Sequence, residues 1–271
     1  MADILTLLAA HAAERTAAAK EQVPLEEMKR RAMEIAACES DPFRFEKALR
    51  RPDIAFICEV KQASPSKGRI WTAPGGEGTE AFPYLEIAKE YEAAGAECIS
   101  VLTEPKWFLG SGEYLRDIAQ TVHTPCIRKD FTVDEYMIYE AKVLGASAVL
   151  LICSILDPDT IRRYIDIADS LGLSALVEAH DAEEIRIAAG CGASLIGVNN
   201  RNLKDFTVDV ENSMRLRSLV PEDVVFVAES GIRGPEDVRA LRAAGADACL
   251  VGETLMRAQD KGAMLKALRG Q

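Results

Sequence analysis

Histidine and paired cysteines are scarce in this 271-residue chain, and this limits the kinds of site that it can form. The three histidines, His11, His123 and His180, lie far apart in sequence, so we expect no histidine-rich metal site. None of the seven cysteines forms a CxxC pair, and five lie in apolar runs, where cysteine behaves as a small buried hydrophobe. We therefore expect free thiols, which fits a cytoplasmic location.

Long apolar runs and an excess of basic charge are also missing. No apolar run approaches the roughly 20 residues that a membrane-spanning helix needs. The first residues, MADILTLLAAHAAER, have no basic segment, so they indicate an amphipathic helix rather than a signal peptide. The net charge is −11, whereas a nucleic-acid-binding protein would show a basic face. We expect no membrane and no nucleic-acid partner, and a monomer or weak homo-oligomer.

Four segments of the chain share one pattern, in which a predicted helix ends at a glycine and an apolar run follows. Glycine just after a helix supplies the left-handed cap. A continuous, β-branched apolar run is typical of a parallel strand that is buried on both faces. The pattern therefore predicts repeated helix–strand units, and the four segments are 92–104, 142–154, 188–200 and 242–253.

The remaining elements extend this repeat to eight strands, each followed by a helix. The strands are predicted at 54–61, 98–104, 125–130, 148–154, 174–179, 195–200, 224–229 and 248–252. The helices are predicted at 84–94, 112–121, 133–144, 157–171, 181–190, 209–219, 235–244 and 254–268. Eight such units indicate an α/β fold, a (β/α)8 TIM barrel forming one domain over 1–271, with 1–50 as a helical extension packed on it. An open doubly wound sheet has less support, because no GxGxxG motif follows the first strand.

Polar residues stand at the predicted ends of these strands, where the active site of such a barrel lies. In FICEVKQASPSKGRI, Glu59 and Lys61 are two residues apart and so project to the same side of the strand. A single polar residue there could merely solvate the strand end, but a whole ring of them suits acid–base chemistry. The other members are Thr103, Glu104, Arg128, Lys129, Asp130, Cys153, Ser154, Glu178, Asn199, Asn200, Arg201, Glu229, Ser230, Gly231, Gly252 and Glu253.

The loops after the seventh and eighth strands suit a phosphate group. Many barrels bind phosphate there through backbone N–H groups. Gly231 and Gly252 permit close approach of the backbone, and Lys61 can add a positive charge. The side chain of Glu253 would repel a dianion unless it points away. The glycines could also simply form turns.

Seven motifs in this order, one per strand end, resemble the indole-3-glycerol-phosphate synthase family over roughly residues 25 to 268. The motifs are EVKQASPSKG, SVLTEPKWFLGS, IRKDF, LVEAH, IGVNNRNL, AESGI and VGETLMR. The resemblance implies closure of the pyrrole ring of 1-(2-carboxyphenylamino)-1-deoxyribulose 5-phosphate, with loss of carbon dioxide and water. It also implies that no metal or organic cofactor takes part.

The resemblance further implies roles for individual residues. Lys129 would be the general acid that protonates the ketone oxygen, and Glu178 the acid/base partner of the later steps. Glu59 and Lys61 would complete the catalytic group. The substrate carboxylate and hydroxyls would be held by Ser64, Asn199, Arg201, Glu229 and Ser230. The phosphate would be held by Gly231, Gly252, the Glu253 backbone and Lys61. Candidates for an apolar pocket around the anthranilate ring are Trp107, Phe108 and Phe131, which could equally be barrel packing.

Two other functions remain open on the same residues. A sugar-phosphate isomerase or a Schiff-base aldolase could also use Lys129, and borohydride trapping of substrate on lysine would favour the aldolase. A non-catalytic small-molecule binder would lack some of the residues for acid–base catalysis. In this chain all four are present: Glu59, Lys61, Lys129 and Glu178.

The segment 71–83, WTAPGGEGTEAFP, is longer and richer in glycine than the resemblance leads us to expect. We interpret it as a mobile loop that closes over the site, against the alternative of a surface insertion without function. Deletion of 74–80 should therefore lower the turnover number, measured by steady-state kinetics. Unchanged kinetics in the deletion variant would favour the surface insertion.

Overall fold

A closed ring of eight parallel strands forms the centre of the computed structural model, which describes residues 4–71, 81–202 and 206–271. The strands are β1 (Ala55–Val60), β2 (Cys98–Leu102), β3 (Cys126–Lys129), β4 (Ala148–Ile152), β5 (Ser174–Ala179), β6 (Leu195–Asn199), β7 (Val225–Glu229) and β8 (Ala248–Val251). Each strand pairs with the next, and β8 pairs with β1, which closes the ring. The predicted (β/α)8 barrel is thus confirmed, and the open sheet is excluded. Most of the 71–83 segment, residues 72–80, lies outside the described residues.

Helices precede the barrel and follow its strands. The first three are α1 (Ile4–Gln22), α2 (Leu25–Ala37) and α3 (Arg44–Leu49). The others are α4 (Tyr84–Ala93), α5 (Gly112–Thr121), α6 (Glu135–Val143), α7 (Pro158–Ser170), α8 (Ala182–Gly190), α9 (Glu211–Leu216), α10 (Pro235–Ala243), α11 (Glu253–Arg257) and α12 (Lys261–Arg269). In the part of the chain described, no helix is both long enough and apolar enough to span a bilayer.

Two predicted helices differ from those in the structure. The predicted helix 254–268 is two helices, α11 and α12, because Ala258 has an extended backbone. Asp260 then caps α12, and its carboxylate accepts a hydrogen bond of 2.7 Å from the Ala263 N–H. The predicted helix 209–219 is shorter, since α9 ends at Leu216 and a 3-10 turn, Arg217–Leu219, follows.

The repeated glycines have the left-handed conformation that the sequence predicted, and aspartates cap the starts of two helices. The glycine of each repeat has a positive φ, between 80° and 89°, just after its helix; these are Gly95, Gly145, Gly192 and Gly245. Asp157 and Asp181 accept backbone N–H groups in the first turns of α7 and α8. Local sequence therefore sets the ends of these particular helices.

The alternation of side chains along β1 places Glu59 inside the barrel. Phe56 and Cys58 pack outward against the helices, whereas Ala55 and Ile57 belong to the cluster that fills the ring. Glu59 lies an even number of residues from Ala55 and Ile57, so its side chain points to the same side of the strand as theirs. Its carboxylate therefore enters the barrel interior. The described residues include all seven cysteines; each is a free thiol, and six are buried.

The N-terminal helices contact the barrel at different places. Leu5 and Leu8 of α1 join the interior cluster and line the cavity described below. Phe45 of α3 is fully buried in the same cluster. The last part of α1 is held by charge, since Arg15 binds Asp130 with Nη2–Oδ1 and Nη1–Oδ2 distances of 2.8 and 3.3 Å. Helix α1 is thus joined to the C-terminal end of β3.

Replacing Arg15 by methionine should destabilise the fold. Asp130 is fully buried and would keep Thr103 Oγ1 at 2.6 Å, the Phe131 backbone N–H at 2.9 Å and the more distant Arg128 as partners. We expect the free energy of unfolding to fall by about 3 kcal/mol, because a buried carboxylate loses its bidentate cation. Urea denaturation measures this. Arg30→Met, at a surface pair on α2, is the control and should change little. Equal effects of the two substitutions would contradict the proposed role of the buried pair.

Candidate active site

The predicted pair at the end of β1 forms an ion pair in the barrel interior. The Lys61 ammonium donates to Glu59 Oε1, and Ser100 Oγ donates to Glu59 Oε2 over 3.3 Å. Glu59 is buried, with 3% of its surface exposed. A side chain at Gly252 would force both members of the pair to move, so the glycine leaves them room where β8 ends.

Lys129, at the end of β3, lies between two carboxylates from other strands. Its Nζ is 3.0 Å from Glu178 Oε2 on β5 and 2.8 Å from Glu229 Oε2 on β7. Asn199 Nδ2 on β6 donates to Glu178 Oε1 over 3.2 Å. Strand ends far apart in sequence thus form one network of hydrogen bonds. Gly197 leaves room for it, because a side chain there would collide with Glu229.

The network shifts the pKa of each of its members. Burial lowers the pKa of Lys129, but the charges of Glu178, Glu229 and Glu59 outweigh burial, so this pKa is raised above its usual value. Burial raises the pKa of Glu178, but Lys129 and His180 reverse this, and the pKa is lowered. Burial and the negative charge of Glu178 raise the pKa of Glu229 to about 7, although Lys129 opposes them. Near neutral pH, Lys129 is an ammonium and Glu178 a carboxylate.

These groups face a cavity of about 660 Å³, which is large enough for a small phosphorylated substrate. All the predicted site residues line it: Glu59, Lys61, Ser64, Lys129, Glu178, Asn199, Arg201, Glu229, Ser230, Gly231, Gly252 and Glu253. Closure of the barrel therefore brings the predicted catalytic, substrate-binding and phosphate-binding residues to one place.

A short hairpin after β1 forms one wall of the cavity. Ala63–Ser64 pairs with Gly68–Arg69, and the turn between them presents Ser64 and Ser66. Arg201 Nη1 donates to Ser66 Oγ over 3.3 Å, so the guanidinium crosses from the end of β6 to this hairpin. Ser66 and Lys67 line the cavity but were not among the predicted site residues, although both belong to the quoted SPSKG motif.

The turns after β7 and β8 present backbone and basic groups to the cavity. Ser230 and Gly231 have φ values of 68° and 87°, and a side chain at Gly231 would come within 2.6 Å of Val208. Arg257 Nε donates to Glu253 Oε1 over 2.9 Å. The Glu253 carboxylate is thus engaged by a cation, which reduces its repulsion of an anion. Sequence reasoning missed Arg233 and Arg257, which also line the cavity.

The aromatic candidates divide into two groups. Phe108 and Phe131 line the cavity with ring centroids 6.2 Å apart, together with Leu5 and Leu8 of α1. Trp107 is not among the residues that line the cavity. Its ring packs edge-to-face against His11 at 5.3 Å. The apolar wall therefore combines loop aromatics with the N-terminal helix.

Several strand-end residues of the predicted ring have structural contacts instead. Glu104 is fully buried and accepts the backbone N–H groups of 106, 107 and 108, which fixes the loop after β2. Arg128 points away from the cavity and binds Glu140 on α6 at 2.7 Å. Asp130 lines the cavity, but its carboxylate is paired with Arg15, as described above. The sequence pattern could not separate these residues from their catalytic neighbours, because all stand at strand ends.

His180 is a neighbour of the network that sequence reasoning did not single out. Its Nε2 lies 3.5 Å from Glu178 Oε1. The signal was present in LVEAH, where the histidine follows Glu178 by two residues and so can stand on the same side.

Solved structures of other barrel enzymes resemble the fold. The 3-hexulose-6-phosphate synthase from Salmonella typhimurium has a TM-score of 0.64 at 14% identity, over 80% of this chain and 97% of that one. A thiamine phosphate pyrophosphorylase from Pyrococcus furiosus has a TM-score of 0.57 at 18% identity, over 80% and 94%. At such low identities the likeness shows the fold alone.

Sequence relatives define the family. The family model described as indole-3-glycerol phosphate synthase matches residues 5–268. The chain is 54% identical to the indole-3-glycerol phosphate synthase of Ruminiclostridium cellulolyticum, over 98% of this chain and 99% of that protein. It is 48% identical to that of Leuconostoc mesenteroides subsp. mesenteroides, over 99% of each. Because these matches extend over nearly the whole chain, it belongs to the indole-3-glycerol phosphate synthase family.

Proposed function

We propose that the residues at the barrel mouth perform the reaction of this family on 1-(2-carboxyphenylamino)-1-deoxyribulose 5-phosphate. The product is indole-3-glycerol phosphate, and carbon dioxide and water leave. The observation that carries the proposal is the Lys129 ammonium, held at 2.8 and 3.0 Å between two carboxylates in a 660 Å³ cavity. The chain is a carboxy-lyase of tryptophan biosynthesis, as its family membership establishes.

Lys129 acts first in the proposed reaction. As the aromatic carbon attacks the ketone carbon, a carbon–carbon bond forms and the ketone oxygen gains negative charge. The Lys129 ammonium stabilises that charge and gives the oxygen a proton, which makes it a hydroxyl. Because the surrounding carboxylates raise its pKa, Lys129 is fully protonated when substrate binds. Lys61, paired with Glu59, adds a second positive charge to the same cavity.

Once the ring has closed, the bond between the attacking aromatic carbon and its carboxylate breaks, carbon dioxide leaves, and the bonding electrons restore the aromatic ring. Glu178 acts in the dehydration that follows. Its lowered pKa keeps it ionised near neutral pH, as removal of a proton from the closed ring requires. It then holds the proton that the hydroxyl needs to leave as water. Glu229 has a pKa of about 7, so it can accept or donate a hydrogen bond to a substrate hydroxyl in the same pH range.

The other cavity residues hold the substrate folded, so that its two reacting ends meet. Ser64, Asn199, Arg201 and Ser230 offer hydrogen bonds to the carboxylate and hydroxyls. For the phosphate we propose Gly231, Gly252, the Glu253 backbone and Lys61. Holding the two ends of one molecule close together lowers the entropic part of the activation barrier. This effect supplies much of the rate enhancement in such ring closures.

The same charges disfavour a Schiff-base aldolase. A Schiff base needs a neutral lysine amine to attack a carbonyl. The raised pKa of Lys129 leaves almost none of it neutral near pH 7.

For the domain organisation, we propose a single barrel domain, residues 1–271, with 1–50 as its helical extension. We propose a cytoplasmic monomer or weak homo-oligomer that binds no nucleic acid. Seven free thiols and a net charge of −11 support the location and the absence of a nucleic-acid partner.

Lys129→Ala should lower kcat by about 10²- to 10⁴-fold, because the general acid is lost. The assay follows indole fluorescence from the carboxyphenylamino-deoxyribulose phosphate, without added metal and with EDTA. Lys89→Ala, at an exposed site on α4, is the matched control and should retain activity. If folded wild-type protein gives no indole product, the proposed function is wrong. If Lys129→Ala forms product at the wild-type rate, Lys129 is not the general acid, but the proposed function still stands.

Glu229→Gln should change how stability depends on pH. A carboxyl whose pKa is raised by folding stabilises the fold below its unfolded value, and this stabilisation is lost as the pH rises through the folded value. For Glu229 the loss falls between its ordinary value of 4.5 and about 7. We expect Glu229→Gln to melt above wild type at about pH 8 and to lose this pH dependence. Thermal unfolding across this range measures it, and parallel curves for the two proteins would contradict it.

A further inference from the structure

A second set of polar contacts joins Glu178 to residues outside the cavity lining. His180 follows β5, and its Nε2 lies 3.5 Å from Glu178 Oε1. The other ring nitrogen, Nδ1, lies 3.1 Å from Glu184 Oε2 in the first turn of α8. The imidazole therefore stands between two carboxylates, one of which belongs to the catalytic network.

The surroundings of His180 fix the ring in this place. Glu184 Oε2 also accepts the His180 backbone N–H over 2.7 Å. Ser154 Oγ donates to Glu184 Oε1 over 2.6 Å, which orients the carboxylate. Asn212 Nδ2 donates to the His180 carbonyl over 3.1 Å. These contacts come from α8, α9 and the turn after β4, so the ring has little freedom to turn away.

The Nε2 atom of His180 is buried, and within the described residues it has no hydrogen-bond partner at normal distance. It faces Glu178 Oε1, which receives Asn199 Nδ2 at 3.2 Å. An unpartnered buried polar atom is costly, so such an atom calls for an explanation. A shift of about half an ångström in Glu178 would give Nε2 a normal hydrogen bond.

The charge of the ring follows from its neighbours. Burial lowers the pKa of His180, but the hydrogen bond to Glu184 and the charges of Glu178 and Glu229 outweigh it. The pKa of His180 is thereby raised, and the imidazolium form is favoured. Lys129, beyond Glu178, is the charge in the network that opposes this.

The His180 imidazolium has a role in the proposed reaction. In the structure, Glu178 Oε2 is paired with Lys129. When the Lys129 ammonium turns to the ketone oxygen, that pairing weakens, and a buried carboxylate without a cation tends to take up a proton. We propose that His180 is a positioning residue, which as an imidazolium keeps Glu178 ionised and oriented while Lys129 bonds the substrate. This inference rests on the proposed function.

His180→Gln tests the inference through the pH profile of kcat. Gln keeps a hydrogen-bonding group but cannot carry charge, so Glu178 should be protonated more easily. We expect kcat to fall by about tenfold at about pH 6 and by about twofold at about pH 8, with KM nearly unchanged. The control is His123→Gln, at an exposed position after α5, which should match wild type at both pH values.

A purely structural role would lower kcat by the same factor at every pH, and that result would overturn the inference. Failure of the proposed function is distinguishable, because wild type itself would then give no indole product. The circular dichroism spectrum and melting temperature show whether His180→Gln has folded.

The protonation of His180 can also be measured in the wild-type protein, whatever the variant does. The chain has three histidines, so ¹⁵N-histidine spectra can be assigned with His11→Gln and His123→Gln. We expect the pKa of His180 to lie above that of an ordinary histidine, because its ring stands between the Glu178 and Glu184 carboxylates. Glu184→Gln should lower its pKa, whereas Glu183→Gln, exposed on the same helix, should not. A pKa of His180 at or below that of an ordinary histidine would overturn the inference.

Discussion

The Lys129 ammonium between Glu178 and Glu229 is the contact on which the active site depends. Two buried carboxylates close together repel each other, so one of them takes up a proton more readily, and the cation between them favours the ionised form of both. Removing the cation would leave the two buried carboxylates without a partner charge, so the loss of Lys129 is costly. The same group supplies an acid and a base whose pKa values are shifted in opposite directions, as the proposed chemistry requires.

The barrel supports this group through glycine and through the N-terminal helices. Gly197 and Gly252 lack side chains at the positions where Glu229 and Glu59 need the space. Helix α1 covers part of the cavity with Leu5 and Leu8, and Arg15 ties it to the end of β3. The buried charged residues inside the barrel and the helix that covers the cavity are therefore both held at the ends of a few strands.

The contacts around the catalytic group extend beyond the cavity. Ser154 orients Glu184, Glu184 holds His180, and His180 faces Glu178. Residues that touch the substrate are held by others that do not touch it, which is how a site keeps its geometry during a reaction.

The sequence by itself determined the barrel, because glycine caps and buried strands are local patterns, and strand–helix units recur eight times along the chain. It also placed Lys129, Glu178 and their partners at strand ends, since parallel strands in a closed ring share one mouth. It could not determine which strand-end residues face inward. Arg128 binds Glu140 on a helix and Glu104 fixes a loop, whereas Lys129 enters the cavity. Only the tertiary structure decided those partners, the break between α11 and α12, and the direction of the pKa of Lys129, because each depends on groups brought together by folding.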